Sequence, residues 1–191
     1  MDFDTIKNAV KKKHYPFFER GDFNVNLVGL RSSDLTSNRF NDHFFILFYI
    51  KTKPVFYRFD CTTDPGVYYR NNPLNLDGTA ILKPGHYKGL WSIGRHRRQY
   101  KALVQTGPAQ FYRDNNKDNE LNLNNLHSGF IGLNCHRAFE HGKSKTVNKW
   151  SAGCQVIADP KKFNVLMQIC SISAKKYGNN FSYTLINEAD I

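Results

Sequence analysis

The sequence predicts a mostly β fold, a β-rich α+β arrangement with one short helix at the N-terminus and one longer helix near the C-terminus. Three observations carry this prediction. Of 191 residues, 15 are Phe and 10 are Tyr, and they gather with Val and Ile in short runs that suit a half-buried pleated surface. Turn residues such as Lys83-Pro84-Gly85 and Thr106-Gly107-Pro108 cut those runs at strand-like intervals. Helical periodicity is confined to the two ends of the chain.

At the N-terminal end, Phe3, Ile6 and Val10 recur at helical spacing behind Asp2 or Asp4 as cap, which predicts a helix over about 3–14. The Tyr15-Pro16 bond closes it, because a residue before proline is steered out of the helical region. Lys11, Lys12 and Lys13 complement its C-terminal dipole. A β core follows over about 23–158, with strands expected at 23–30, 43–50, 55–60, 79–87, 91–93, 101–105, 110–112 and 130–136. Asp159 then caps a second helix, about 160–177, with Pro160 in its first turn. Phe163, Leu166, Met167, Cys170, Ala174 and Tyr177 form its apolar stripe, and Gly178 ends it. A final strand is expected over 181–187. No repeat, low-complexity tract or linker interrupts the chain, so residues 1–191 read as a single domain. Its hydrophobic content of 40% is enough for a core without metal or disulfide.

Composition narrows the function. The four cysteines, at 61, 135, 154 and 170, lack the close paired spacing of a disulfide framework or zinc ribbon and read as free thiols. His86, His96, His127 and His141 show no ligand-pair spacing either, so zinc is not expected. No run of about 18 apolar residues is present to span a membrane. The stretch MDFDTIKNAVKKKHYPFFERG has no apolar segment of signal-peptide length, so the expectation is a protein made in the cytosol without an export signal. A net charge of +11 favours an anionic partner such as nucleic acid, anionic lipid or an acidic wall polymer. The densest basic run, Gly94 to Lys101, reads as a solvated loop between strands, and nucleic acid is not the expected partner. The oligomeric state is left open.

The chemistry concentrates in LNCHRAFEHGKSKTVNKWSAGCQV, residues 133–156. If 130–136 is a strand, its side chains alternate, which puts Cys135 on the apolar face with Ile131 and Leu133 and turns His136 toward a cleft. Ser151-Ala152-Gly153 is a turn of small residues that delivers Cys154 with its backbone free to approach a ligand. A thiol becomes a useful nucleophile beside a base, and His136 precedes Cys154 by eighteen residues, enough for a loop to bring them together.

A histidine, a gap of this size and then Ser-x-Gly-Cys resembles the catalytic motif of the L,D-transpeptidase (YkuD-type) family. Ser151, Gly153 and Cys154 match it, and His136 stands in the place of the family's general base. Cys61-Thr62-Thr63-Asp64-Pro65-Gly66 and Gly78-Thr79-Ala80, running into Pro84-Gly85-His86-Tyr87, resemble the segments before that motif; the likeness covers about residues 23–158. Two positions depart: Ala152 stands where a second histidine is usual, and Gln155-Val156 where an Ile/Val-Arg pair is common. The resemblance implies a β-sandwich or barrel of that family and a Cys154 thioester formed on peptidoglycan stem peptides. Water then completes hydrolysis, or an amine completes transpeptidation. It implies oxyanion donors at the Gly153 and Cys154 N–H groups, and Arg137, Gln155 and His86 as the candidates for substrate contact. The expected direction is hydrolysis, by an enzyme that reaches the bacterial wall at lysis or in a phage particle.

Asp114, Asn116 and Asp118 carry oxygen at alternate positions and resemble the start of a calcium loop, although Asn119 and Asn125 occupy the places of its usual Gly and Glu. Calcium is therefore the candidate cofactor at this site, and otherwise none is expected. The rival to an enzyme is a basic wall-binding or virion structural protein that keeps the fold without turnover.

Overall fold

The computed structural model describes residues 1–34, 36, 38–118 and 120–191. Asn119, in the sixth place of the calcium-loop reading, lies outside the described residues. Helix α1 (Phe3–Lys12) opens on Asp2, whose carboxylate accepts the Thr5 N–H at 2.9 Å. It stops before residue 14 because His14 turns left-handed at φ 58°, and the N–H groups of His14 and Tyr15 cap the carbonyls of Lys11 and Val10 at 2.9 and 3.2 Å.

In chain order the strands are β1 (Asn26–Arg31), β2 (Asp42–Ile50), β3 (Lys53–Thr62), β4 (Thr79–Leu82), β5 (Gly85–His96), β6 (Tyr100–Gln105), β7 (Ala109–Asp114), β8 (Leu126–Gly129), β9 (Cys135–Arg137), β10 (Gln155–Ile157) and β11 (Phe181–Asn187). Helix α2 (Val67–Asn71) lies between β3 and β4, and α3 (Pro160–Tyr177) between β10 and β11. The fold is mostly β, with a short N-terminal and a longer C-terminal helix. A barrel closes in the order β1-β11-β5-β6-β9-β10-β3-β2, and β4-β7-β8 form a separate sheet. Pairs β1–β11 and β9–β10 are parallel, and the other barrel pairs are antiparallel.

The barrel buries both faces of its first strands. Along β2, Phe44, Ile46 and Phe48 point into the barrel, where Phe44 stacks on Tyr183 with ring centroids 5.6 Å apart. Phe45 and Leu47 point outward and are covered by Phe3, Ile6 and Val10 of α1. Two cores thus explain an apolar run without alternation. Asp159 caps α3 by accepting the Lys161 N–H at 2.8 Å, and Phe163, Leu166, Met167 and Cys170 join the barrel core. Among the described residues, no helix is long and apolar enough to cross a membrane.

Two strand expectations need correction, and one helix was not expected. The strand expected over 79–87 is two, β4 and β5, in different sheets; Pro84 has no N–H to continue a ladder, and the chain turns there. The strand expected over 130–136 is an irregular segment that becomes β9 only at Cys135. Gly129 and Gly132 sit at φ 143° and 71°, and the Gln105 side chain stands in for a ladder, accepting the N–H groups of Ile131 and Leu133 at 3.0 and 2.8 Å. Helix α2 has a glycine N-cap with no side-chain bond and no apolar stripe, so nothing local announced it.

Candidate active site

The parallel register of β9 and β10 sets Gln155 beside Cys135 and Val156 beside His136. One residue earlier, Cys154 therefore falls beside Asn134, and alternation puts Cys154 and His136 on the same face. Cys135 is fully buried on the other face, inside the barrel. His136 is less open than expected: it is 4% exposed, because the His96 ring stacks on it with centroids 4.0 Å apart. Both histidines line a cavity of about 970 Å³.

The turn before Cys154 is strapped from several sides. Ser151 Oγ donates to the Cys154 carbonyl at 2.8 Å and accepts the Gly153 N–H at 3.1 Å. Gly153 sits at φ 121°, and a Cβ there would lie 2.6 Å from the Ala80 carbonyl oxygen, so only glycine fits. The Gly66 N–H donates to the Ser151 carbonyl at 2.9 Å. Two upstream segments singled out in the sequence, Cys61 to Gly66 and Gly78 to Ala80, thus meet the Cys154 turn.

Cys154 is partly exposed. Its Sγ accepts the Asn134 N–H at 3.5 Å and lies 3.5 Å from the Gly132 carbonyl. Among the described residues no hydrogen bond joins this thiol to His136; Asn134 instead links the thiol to His96, bonding Cys154 through its backbone N–H and His96 Nδ1 through its side chain at 3.2 Å. Burial pushes the thiol up, against the Asn134 N–H and the positive charge of Arg97, so the resting group is a thiol rather than a thiolate. His136 Nδ1 lies 2.8 Å from the Arg137 carbonyl, an acceptor only, which leaves the lone pair on Nε2. Burial, then the neighbouring His96, lowers His136 to about 3, so it is neutral.

Of the oxyanion donors expected, the Gly153 N–H is occupied by Ser151 Oγ, which corrects its assignment. The Cys154 N–H has no partner among the described residues. Of the substrate-contact candidates, Arg137 lines the cavity, its guanidinium 4.0 Å over the Tyr100 ring and 3.1 Å from Glu140. Gln155 does not face it. Gln155 is fully buried, accepting from the Tyr183 hydroxyl at 2.8 Å and donating to the Thr63 carbonyl at 3.4 Å. His86 does not either: it bonds Thr184 Oγ1 at 2.9 Å and stacks on Tyr15 beside the barrel strand β11. Arg97 and Lys149 add positive charge to the cavity wall, and Tyr68, Phe139 and Trp150 add exposed aromatic faces.

The calcium-loop residues are otherwise engaged. Asp114 is the last residue of β7, 1% exposed, with its carboxylate 2.9 Å from Arg70 Nη2. Asp118 approaches the same nitrogen at 3.3 Å, and Asn116 Nδ2 donates to Asp118 at 2.6 Å. Among the described residues, no group of three or more His, Cys, Asp or Glu side chains is placed to hold a metal ion.

The sequence missed His96, Asn134 and Gln105. His96 ends β5 inside the run read as a solvated loop. Arg97 and Arg98 turn the β5–β6 hairpin at φ 47° and 61°, positions that normally favour Asn or Gly, and so gave no local turn signal. No protein-family model matches this chain, and neither a curated protein nor a solved structure matches it.

Proposed function

We propose that the protein is a cysteine acyl-transfer enzyme acting on peptidoglycan stem peptides through a thioester at Cys154, with hydrolysis as its main outcome. The observation that carries this reading is the 2.8 Å contact of His136 Nδ1 with the Arg137 carbonyl, which assigns the proton to Nδ1 and leaves the basic Nε2 on the strand face shared with Cys154. A neutral imidazole with an uncommitted lone pair can accept the thiol proton; burial weakens it as a base, so the transfer relies on the negative charge that develops beside it in the reaction.

In the first step Nε2 takes the thiol proton as Sγ bonds to the substrate carbonyl carbon, giving a tetrahedral oxyanion within reach of the Cys154 N–H. Collapse breaks the C–N bond, and His136 returns its proton to the leaving nitrogen. Water, activated by the same Nε2, then cleaves the thioester. The cavity of about 970 Å³ on the His136 side has room for water to reach Nε2, which favours hydrolysis over transfer to an amine. Arg137, Arg97 and Lys149 supply positive charge for the carboxylates of a stem peptide.

A second reading, a basic wall-binding or virion protein without turnover, is favoured by one observation: the thiol is not hydrogen-bonded to His136. Incubation with purified sacculi and muropeptides, followed by mass spectrometry, separates the readings. An acyl-transfer hydrolase releases soluble fragments or free amino acid. New cross-linked dimers without soluble release would reverse the direction, and unchanged muropeptides bound to the protein would favour the second reading.

A further inference from the structure

The hydrogen-bond partners of the two stacked histidines assign their protons to opposite nitrogens. In His136 the proton is on Nδ1, facing the Arg137 carbonyl. The tautomer of His96 is set by a longer chain. The Gln105 N–H donates to Asn134 Oδ1 at 2.9 Å, which fixes the oxygen end of that amide. Asn134 Nδ2, which can only donate, then faces His96 Nδ1 at 3.2 Å. Nδ1 of His96 is thus the acceptor, and its hydrogen sits on Nε2. Burial and the neighbouring Arg97 hold His96 below the usual histidine range, so the ring stays neutral.

The donors around Cys154 are otherwise depleted. The Gly153 N–H is taken by Ser151 Oγ, and the Asn134 N–H by Cys154 Sγ itself. An oxyanion needs a fixed donor in addition to the Cys154 N–H, and a second imidazole lies on the cavity wall against the general base. We infer that His96 is a catalytic residue whose neutral Nε2–H donates a hydrogen bond to the oxyanion formed when Cys154 attacks an acyl group, with Asn134 as the positioning residue that sets its tautomer. This rests on the acyl-transfer reading. The proton balance is unchanged: His136 takes the thiol proton and returns it to the leaving nitrogen. His96 keeps its own proton throughout, as a neutral imidazole held below its usual basicity can.

Two measurements test this. In protein labelled with 15N-histidine, two-bond proton–nitrogen spectra near neutral pH should show His96 as the Nε2–H tautomer and His136 as the Nδ1–H tautomer. His96 found as the Nδ1–H form or as imidazolium overturns the inference. The second measurement compares acylation of Cys154 by p-nitrophenyl acetate with its alkylation by iodoacetamide, which displaces iodide and builds no oxyanion. His96→Ala should lower acylation about 100-fold relative to alkylation. His96→Gln keeps an N–H donor and should recover most of that loss. Equal losses in both reactions, or none in either, overturn the donor role alone. Wild-type Cys154 that is alkylated but never acylated overturns the acyl-transfer reading, and the donor role with it.

Discussion

The Cys154 turn and the Asp114 loop are both picked out by residue type in the sequence, and the structure uses them in opposite ways. Around Arg70, the Asp114 and Asp118 carboxylates converge on one guanidinium nitrogen at 2.9 and 3.3 Å. Around Cys154, the fixed groups hold each other in place and the thiol rests between the Asn134 N–H and the Gly132 carbonyl at 3.5 Å, while His136, which lines a cavity, keeps Nε2 uncommitted. A buried ion pair whose desolvation already raises the Asp114 carboxyl adds little net stability, but breaking it strands a charge. Capacity left over beside open space is what chemistry requires, and spacing along the chain does not distinguish the two cases.

The largest effect expected is on turnover. Cys154→Ala and His136→Ala should each lower fragment release from sacculi by about 1000-fold or more, and the double variant should be no worse than either, because the base matters only while it has a nucleophile to activate. Full activity in Cys154→Ala would remove the distinction between the regions. The other region should respond in stability instead. Asp114→Ala leaves the buried Arg70 with only the half-exposed Asp118 at 3.3 Å and should cost up to about 3–5 kcal/mol by denaturant titration. The folded variant should still alkylate Cys154 at the wild-type rate. A loss near zero would show that the ion pair is not structural.

Acid sharpens the comparison further. His136, lowered to about 3, is unprotonated in the folded chain between that pH and about 6.5, where the unfolded chain binds a proton; stability from this group therefore falls as the pH drops through that window. Asp42, raised to about 7 first by burial and then by the neighbouring Asp64, keeps a proton that the unfolded chain loses above about 4, so its contribution falls as the pH rises toward 7. The two slopes, each at most about 1.4 kcal/mol per pH unit, oppose one another between about pH 4 and 6.5. Asp42→Asn should remove the opposing slope, so that stability rises more steeply with pH across that range than in the wild type. A flat profile in the variant would contradict the assignment of His136 as a buried neutral base. The smallest effect expected is from metal: with Asp114 and Asp118 held by Arg70, a chelator should leave the melting temperature unchanged. A fall restored by calcium would return the loop to a metal site.

Much of this was legible locally. The Asp2 and Asp159 caps, the aromatic strands and the opposite faces of Cys135 and His136 follow from short-range patterns that the packing retained. The barrel order, the depth of His136 and the presence of His96 were not. They depend on register between strands far apart in sequence, such as the Leu103–Cys135 pairing that carries the β5–β6 hairpin to β9. Gln155 and His86 misled because a motif position fixes the backbone neighbourhood and not where a side chain spends its hydrogen bonds.

The central claim is a covalent one, and it is tested most directly by trapping. Protein incubated with purified muropeptides and quenched with acid within seconds should show, by intact mass and peptide mapping, an adduct equal to the acyl donor less its leaving group. That adduct should be confined to the peptide containing Cys154, removed by hydroxylamine as a thioester is, and absent from Cys61, Cys135 and Cys170, which are buried. Products that form without any adduct on Cys154, or that continue to form in Cys154→Ala, would contradict the account.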